Sequence, residues 1–198
     1  MSSTSLPNVV GTPSQTGTEF QNVPTRINSA TSATGTQFIE GMGEQIQALQ
    51  AQLTSIHQVC SEACTSQGDH EGALTHISCC VAIQPDNMVF RNQRGFLRYV
   101  NGDDGAIEDF QLVVSRQPEN SDAYFNLAMI YFGQERVAEA ERNFALAVRF
   151  DPGDAENWNN LGVARYKLGR VEEARECFQK SVELDPGYAE ARDNLQSL

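Results

Sequence analysis

Pro85, Pro118, Pro152 and Pro186 stand 33, 34 and 34 residues apart, and a second marker keeps step with them. That marker is Ala174/Phe178, Ala140/Phe144, Ala106/Phe110 and a weakened Ala73/Ile77. A fixed period with a fixed role at each position is the mark of a stacked repeat array, and it constrains this chain more than any other feature. The best-formed unit is Trp158 to Pro186. Trp158, Leu161, Gly162 and Tyr166 have the spacing of one helix, Leu168-Gly169-Arg170 breaks it, and Ala174, Phe178 and Val182 mark a second helix that Pro186 stops. Two helices of that size cannot bury a core alone, so successive pairs must stack.

At these residues the chain resembles the tetratricopeptide repeat family, whose helix-turn-helix unit of about 34 residues runs Trp, Leu, Gly, Tyr, Ala, Phe, Pro. Repeat four (155–188) and repeat three (121–154, with Tyr124, Leu127, Tyr131, Ala140, Phe144, Ala147 and Pro152) carry the pattern clearly. Repeat two (88–120) is one residue short, and aligning Arg98-Tyr99 with Arg165-Tyr166 places the gap in or near its inter-helix turn. Repeat one (54–87) diverges most, keeping Gly68, Ala73 and Pro85 but carrying His57, Cys60, Cys64 and Ile77 at aromatic and leucine positions. The resemblance implies an all-α fold: a right-handed superhelical solenoid of four helix-turn-helix repeats, with an N-terminal helix ahead of it and a capping helix over 189–198. Such a fold hosts many functions.

A net charge of -12 and a sequence pI near 4.6 leave no cationic surface for a polyanion, which argues against nucleic acid and anionic membranes as partners. No apolar run approaches the roughly 20 residues of a membrane span, and residues 1–36 lack the charged and apolar regions of a secretory signal. Five cysteines in a chain able to build a core fit a reducing compartment, so the expected address is cytoplasmic. Gly-rich phosphate loops and nucleophile elbows are missing, so neither an enzyme nor a cofactor is expected.

Residues 1–36 hold Glu19 and Arg26 as their only charges and are otherwise Ser/Thr/Asn/Gly-rich, the composition of a disordered tail serving as a tether or as a docking or secretion address. From residue 37 to 53 the pattern becomes a heptad seam. Ile39, Met42, Ile46, Leu49, Leu53, Ile56, Cys60 and Ala63 alternate spacings of 3 and 4, and Gly41 and Gly43 move the expected start of a continuous helix to near Glu44. The helix either folds back to cap the array's N-terminal face or self-associates through Ile46, Leu49, Leu53 and Ile56. The absence of Lys and Arg between residues 27 and 90 denies a dimer its flanking salt bridges.

Repeat one concentrates the reactive side chains. His57, Cys60 and Cys64 share a face of its first helix and His76 and Cys80 a face of its second, a set that suits zinc or another soft metal. The competing reading is that the cysteines are small buried hydrophobes. In repeat two, Arg91, Arg94 and Arg98 line one helix face, where they would balance Glu62, Asp69 and Glu71. Arg98 and Arg165 stand where the family usually has tyrosine.

The family's stacking implies that first helices line an inner channel. Beside their core stripe stand Val89, Asn92, Phe96 and Tyr99; Asp122, Phe125, Met129 and Phe132; and Glu156, Asn159, Val163 and Tyr166, with Asn126 and Asn160 adjoining. In repeat one the same stripe is Ser55, Gln58, Glu62 and Thr65. Aromatic anchors with amides suit capture of another protein's peptide segment, as an adaptor or a chaperone, including chaperones of bacterial secreted proteins. Family members that hold acidic chaperone C-termini use Lys and Arg where this chain has Ser55, Gln58, Val89, Gln93, Asp122, Phe125 and Asn126. The alternatives are a self-assembling homo-oligomeric scaffold and, in a third class, a metal or thiol sensor at repeat one.

Overall fold

The computed structural model describes residues 29–198, and side chains from residue 35 onward; the expected tail falls outside the described residues over 1–28. All described elements are helices: α1 (Ser29–Ser66), α2 (His70–Ile83), α3 (Met88–Val100), α4 (Ala106–Arg116), α5 (Ser121–Gly133), α6 (Val137–Phe150), α7 (Ala155–Lys167), α8 (Val171–Leu184) and α9 (Ala189–Gln196). The chain divides into two compact units, the first ending at Ile46 and the second running Gln47–Leu198. In the first unit the described residues are helical, and Phe38, Ile39, Met42 and Ile46 are exposed.

This corrects the expected helix start near Glu44, because α1 opens at Ser29, inside the stretch read as tail. Gly41 and Gly43 cost the helix about 1 kcal/mol each relative to alanine, but glycine does not break the backbone ladder as proline does. The sequence has no proline between Pro24 and Pro85. A second correction concerns capping. Within the second unit, Leu49, Leu53 and Ile56 of the seam are 64%, 46% and 59% exposed, so this part of the helix does not lay its apolar face on the array.

In the second unit each helix packs on its neighbours in sequence, α2 on α3, α3 on α4 and so on to α8 on α9. The same local chemistry starts the first helix of each pair. Asn87, Asn120 and Asp154, each two residues after a proline, accept hydrogen bonds from the free amides of Val89, Phe90, Ala123, Glu156 and Asn157. Gly68, Gly102 and Gly169 take the positive φ that lets the chain turn into the second helix, while the third repeat does so with Glu135 at φ 60°. The deletion in repeat two shortens α4, which begins at its marker Ala106, whereas α6 and α8 begin a turn before Ala140 and Ala174.

The core is the repeat pattern made solid. Phe110, Phe144 and Phe178 are fully buried, and in two repeats the ring lies on a glycine. A Cβ on Gly162 would sit 2.6 Å from Phe178, and one on Gly95 would sit 3.0 Å from Phe110. Repeat one replaces that pair by Ser61 and Ile77 in a cluster with Ala73, Cys80, Val81, Phe90 and Leu97. Its first helix is tied to the second through polar atoms: Ser61 Oγ donates to Ala73 O at 3.1 Å, and Cys80 Sγ to Thr54 O at 3.6 Å.

Repeat two solves a different problem. Arg91, Arg94 and Arg98 do not balance the acids of repeat one; they converge on Asp109 of α4, at 3.5, 2.5 and 2.8 Å. Asp109 is only 2% exposed, so a single carboxylate is held in the core by three guanidinium groups. Arg165, the other departure from tyrosine, reaches Glu141 of the preceding repeat at 3.2 Å and the Cys177 thiol at 3.3 Å.

Candidate functional site

The inner helices α3, α5 and α7, with the last turns of α1, enclose a groove of about 680 Å³. Phe96, Leu97 and Phe125 give it an apolar floor. Amides surround that floor: Gln58, Asn92, Gln93, Asn126 and Asn157. The Asn92 Oδ1 is buried and has no hydrogen-bond partner among the described residues, an unsatisfied acceptor in the wall. Four carboxylates, Glu62, Asp122, Asp154 and Glu156, complete the lining, together with Ser61, Thr65 and Ser66. Burial, with Asp154 and Glu190 nearby, raises the pKa of Glu156.

Of the residues picked out by helical spacing, this groove contains Asn92, Phe96, Phe125 and Asn126, and with them Gln58, Glu62, Thr65, Asp122 and Glu156 of the same stripes. The others lie elsewhere. Tyr99 borders a smaller depression of about 260 Å³ with Ile107, Ile130 and Gln134. Met129 and Phe132 are half-buried against the core, and the Phe132 ring lies 4.4 Å from the Lys167 ammonium. Asn159 is fully buried: its amide donates toward Tyr188 Oη and Glu190, and its carbonyl accepts from Asn194 at 2.9 Å. It therefore ties α9 to α7. Burial, then the neighbouring Glu190 and Glu156, push the Tyr188 phenol up to about 12. Asn160 donates to Glu156 O of its own helix; Val163 is half-buried and Tyr166 exposed.

Sequence spacing missed Ser61 and Ser66 of α1 and the contribution of the helix caps. Asp154 and Asn157 enter the groove because they form the first turn of α7, where the caps fix the backbone. The Pro-x-Asx pattern at 152–154 was the available signal.

The repeat-one cluster is only partly assembled. His57 Nδ1 lies 3.1 Å from His76 Nδ1, so one ring donates and the other accepts. Cys80 faces the Thr54 carbonyl, and among the described residues no three His, Cys, Asp or Glu side chains converge as metal ligands around His57, Cys60, Cys64, His76 or Cys80. Burial foremost, helped by Asp69 and Cys60, raises the Cys64 thiol; burial, helped by Cys79, raises Cys80. Both therefore favour the less nucleophilic protonated form. No described helix is long and apolar enough to cross a membrane.

Models of the tetratricopeptide repeat match residues 101–155 and 155–188. No protein of curated function matches the sequence. Among solved structures, MamA is similar over 73% of this chain and 80% of its own, at 20% identity and TM-score 0.66. MamA from Desulfovibrio magneticus RS-1 is similar over 72% and 81%, at 22% identity and TM-score 0.67. The first tetratricopeptide repeat domain of Spaghetti (RPAP3), solved with an HSP90 peptide SRMEEVD, is similar over 56% of this chain and 88% of its own, at 27% identity and TM-score 0.53. With the period, the capped helix pairs and the glycine-aromatic contacts, these matches identify residues 101–188 as tetratricopeptide repeats, and the solved structures share the fold of the array.

Proposed function

We propose that this chain is a protein-interaction module that captures an extended segment of a partner in the groove between α1, α3, α5 and α7. The observation that carries this reading is the lining itself: an apolar floor of Phe96 and Phe125 beside amides that include the unpaired Asn92 Oδ1. Apolar anchors release water from a bound side chain, and amides hold the backbone of a segment without requiring a particular sequence. The Spaghetti domain, similar in fold, was solved holding a peptide. That peptide is acidic, and the carboxylates of the present groove would repel it.

The test compares wild type with a Phe125→Ala/Asn126→Ala variant, checked for helicity and cooperative melting, in affinity capture from native extract with the bound proteins identified by mass. The expected result is loss of one or a few proteins with the variant. Retention of the same proteins would overturn the groove as the site.

A second reading is self-association, which the exposure of Leu49, Leu53 and Ile56 favours, since uncovered apolar stripes mark interaction surfaces. Sedimentation of wild type against Leu49→Glu/Leu53→Glu tests it. A monomeric wild type at tens of micromolar, on the order of 10⁻⁵ M, would remove the reading.

A further inference from the structure

The groove's charge says what kind of segment it takes. Glu62, Asp122, Asp154 and Glu156 come from three helices and one cap, and no Lys, Arg or His shares the lining with them. Elsewhere on the array, carboxylates meet their own bases: Glu139 pairs with Arg136, Glu173 with Arg170, Glu141 with Arg165 and Arg170, and Glu183 with Lys180. The groove acids have no such ion pair among the described residues. The bases of the helices that line the groove are engaged elsewhere: Arg91, Arg94 and Arg98 of α3 by Asp109, Arg165 of α7 by Glu141, and Lys167 at the far end of α7 over the Phe132 ring. Helix α1 cannot supply one, because residues 27–90 contain neither Lys nor Arg. The excess of negative charge is therefore focused at an apolar concavity, where low-dielectric walls strengthen its field.

We infer that the groove's occupant is a basic segment of a partner protein, carrying Lys or Arg on both sides of an apolar side chain. This rests on the proposed peptide capture and gives that occupant its chemistry. The apolar side chain sits on Phe96 and Phe125, a backbone N–H or side-chain donor satisfies the Asn92 Oδ1, and the flanking cations meet Asp122 and Glu156 on one side and Glu62 on the other.

Fluorescein-labelled twelve-residue peptides test it: one alternating lysine with leucine and serine, one with glutamate in place of lysine. Titration by fluorescence anisotropy uses the full chain, a Glu62→Gln/Asp122→Asn/Glu156→Gln variant that leaves the Asp154 cap intact, the Phe125→Ala/Asn126→Ala variant, and a Leu49→Ser/Leu53→Ser variant. A Glu172→Gln/Glu176→Gln/Glu183→Gln variant on α8 removes the same charge elsewhere. The expected result is saturable binding of the lysine peptide alone, weakened by about tenfold in the neutralised-groove variant and unchanged in the α8 and seam variants. Equal weakening by the α8 variant would show general attraction to an acidic protein and overturn the inference. Loss in the Phe125 variant with no loss in the neutralised-groove variant would overturn the charge chemistry and leave peptide capture standing. Loss in the seam variant alone would place the peptide on α1 and overturn the groove as its site.

Discussion

Repeat one and repeat four build the same helix pair with almost no side chain in common at the positions that hold it together. Where repeat four has Gly162 under the ring of Phe178, repeat one has Ser61 and Ile77 at the matching positions. Repeat four has a serine three residues after the aromatic marker, and its Ser181 Oγ donates to the first carbonyl of α7 at 2.7 Å. Repeat one has Cys80 there, donating to Thr54 O. The residue just before the marker varies most: His76 meets His57, Asp109 meets three arginines, and Cys177 accepts from Arg165. The comparison teaches that the repeat conserves a sum of volumes and a set of satisfied polar groups across two facing helices, rather than residue types.

If that is right, removing one member of a matched set should cost far more than exchanging the whole set. The largest effect is expected in repeat two. Asp109→Ala leaves Arg94 and Arg98 with charges in a part-buried site and no counter-charge, and should destabilise the fold by about 3–5 kcal/mol in denaturant titration. A cost below about 1 kcal/mol would mean that water already reaches these guanidinium groups.

Next comes the glycine-aromatic contact of repeat four. Gly162→Ala puts a methyl group 2.6 Å from the Phe178 ring, and overpacking of this kind costs about 1–3 kcal/mol even after alanine's helix propensity is credited. Adding Phe178→Ile, which imitates Ser61 and Ile77, should recover part of that cost. The measurement is the coupling energy of the double-mutant cycle; additivity within about 0.5 kcal/mol would show that the two side chains do not constrain each other.

These cases also show what the sequence made legible. The helix pairs could be read because Pro85, Pro118, Pro152 and Pro186 end second helices, and Ala/Phe markers recur where burial leaves no choice. Much of the groove could be read for the same reason: Asn92, Phe96, Phe125 and Asn126, with Gln58, Glu62, Thr65, Asp122 and Glu156, follow from helical spacing. The rest depended on which helix end faces which neighbour. Asn159 has the spacing of a channel residue, yet α9 covers it, and no periodicity within α7 reports what the next helix will cover. The arginines of α3 lie in sequence between the acids of repeat one and Asp109, and spacing within α3 does not report that the packing of α3 on α4 gives them to Asp109.

The third effect tests backbone rather than packing. Gly68, Gly102 and Gly169 occupy the left-handed position between paired helices, and Glu135 takes it in repeat three at φ 60°. A side chain there costs about 1–2 kcal/mol through the close approach of Cβ to the next carbonyl oxygen, while glycine's greater freedom in the unfolded chain returns part of it. Glu135→Gly should therefore raise stability by about 1 kcal/mol or less. A loss on thermal or denaturant unfolding would mean that the Glu135 side chain contributes more than its backbone conformation costs.

An effect of similar size comes from exchanging the thiol and the hydroxyl of repeats one and four. Both atoms are fully buried and both face the carbonyl of the first residue of their repeat. The hydroxyl at 2.7 Å makes a full hydrogen bond, whereas the thiol at 3.6 Å is a weak donor that also fills volume. Ser181→Cys should lose most of one hydrogen bond and crowd the site, at about 1 kcal/mol. Cys80→Ser should cost a similar amount for the opposite reason, because a shorter C–O bond leaves the hydroxyl short of Thr54 O and partly unsatisfied. The diagnostic pair is the alanine variants: Ser181→Ala takes a strong second donor from a helix carbonyl, so it should cost more than Cys80→Ala. If instead the two alanine variants cost the same, volume alone would govern this position, and satisfied polar groups would have no part in what the repeats hold in common.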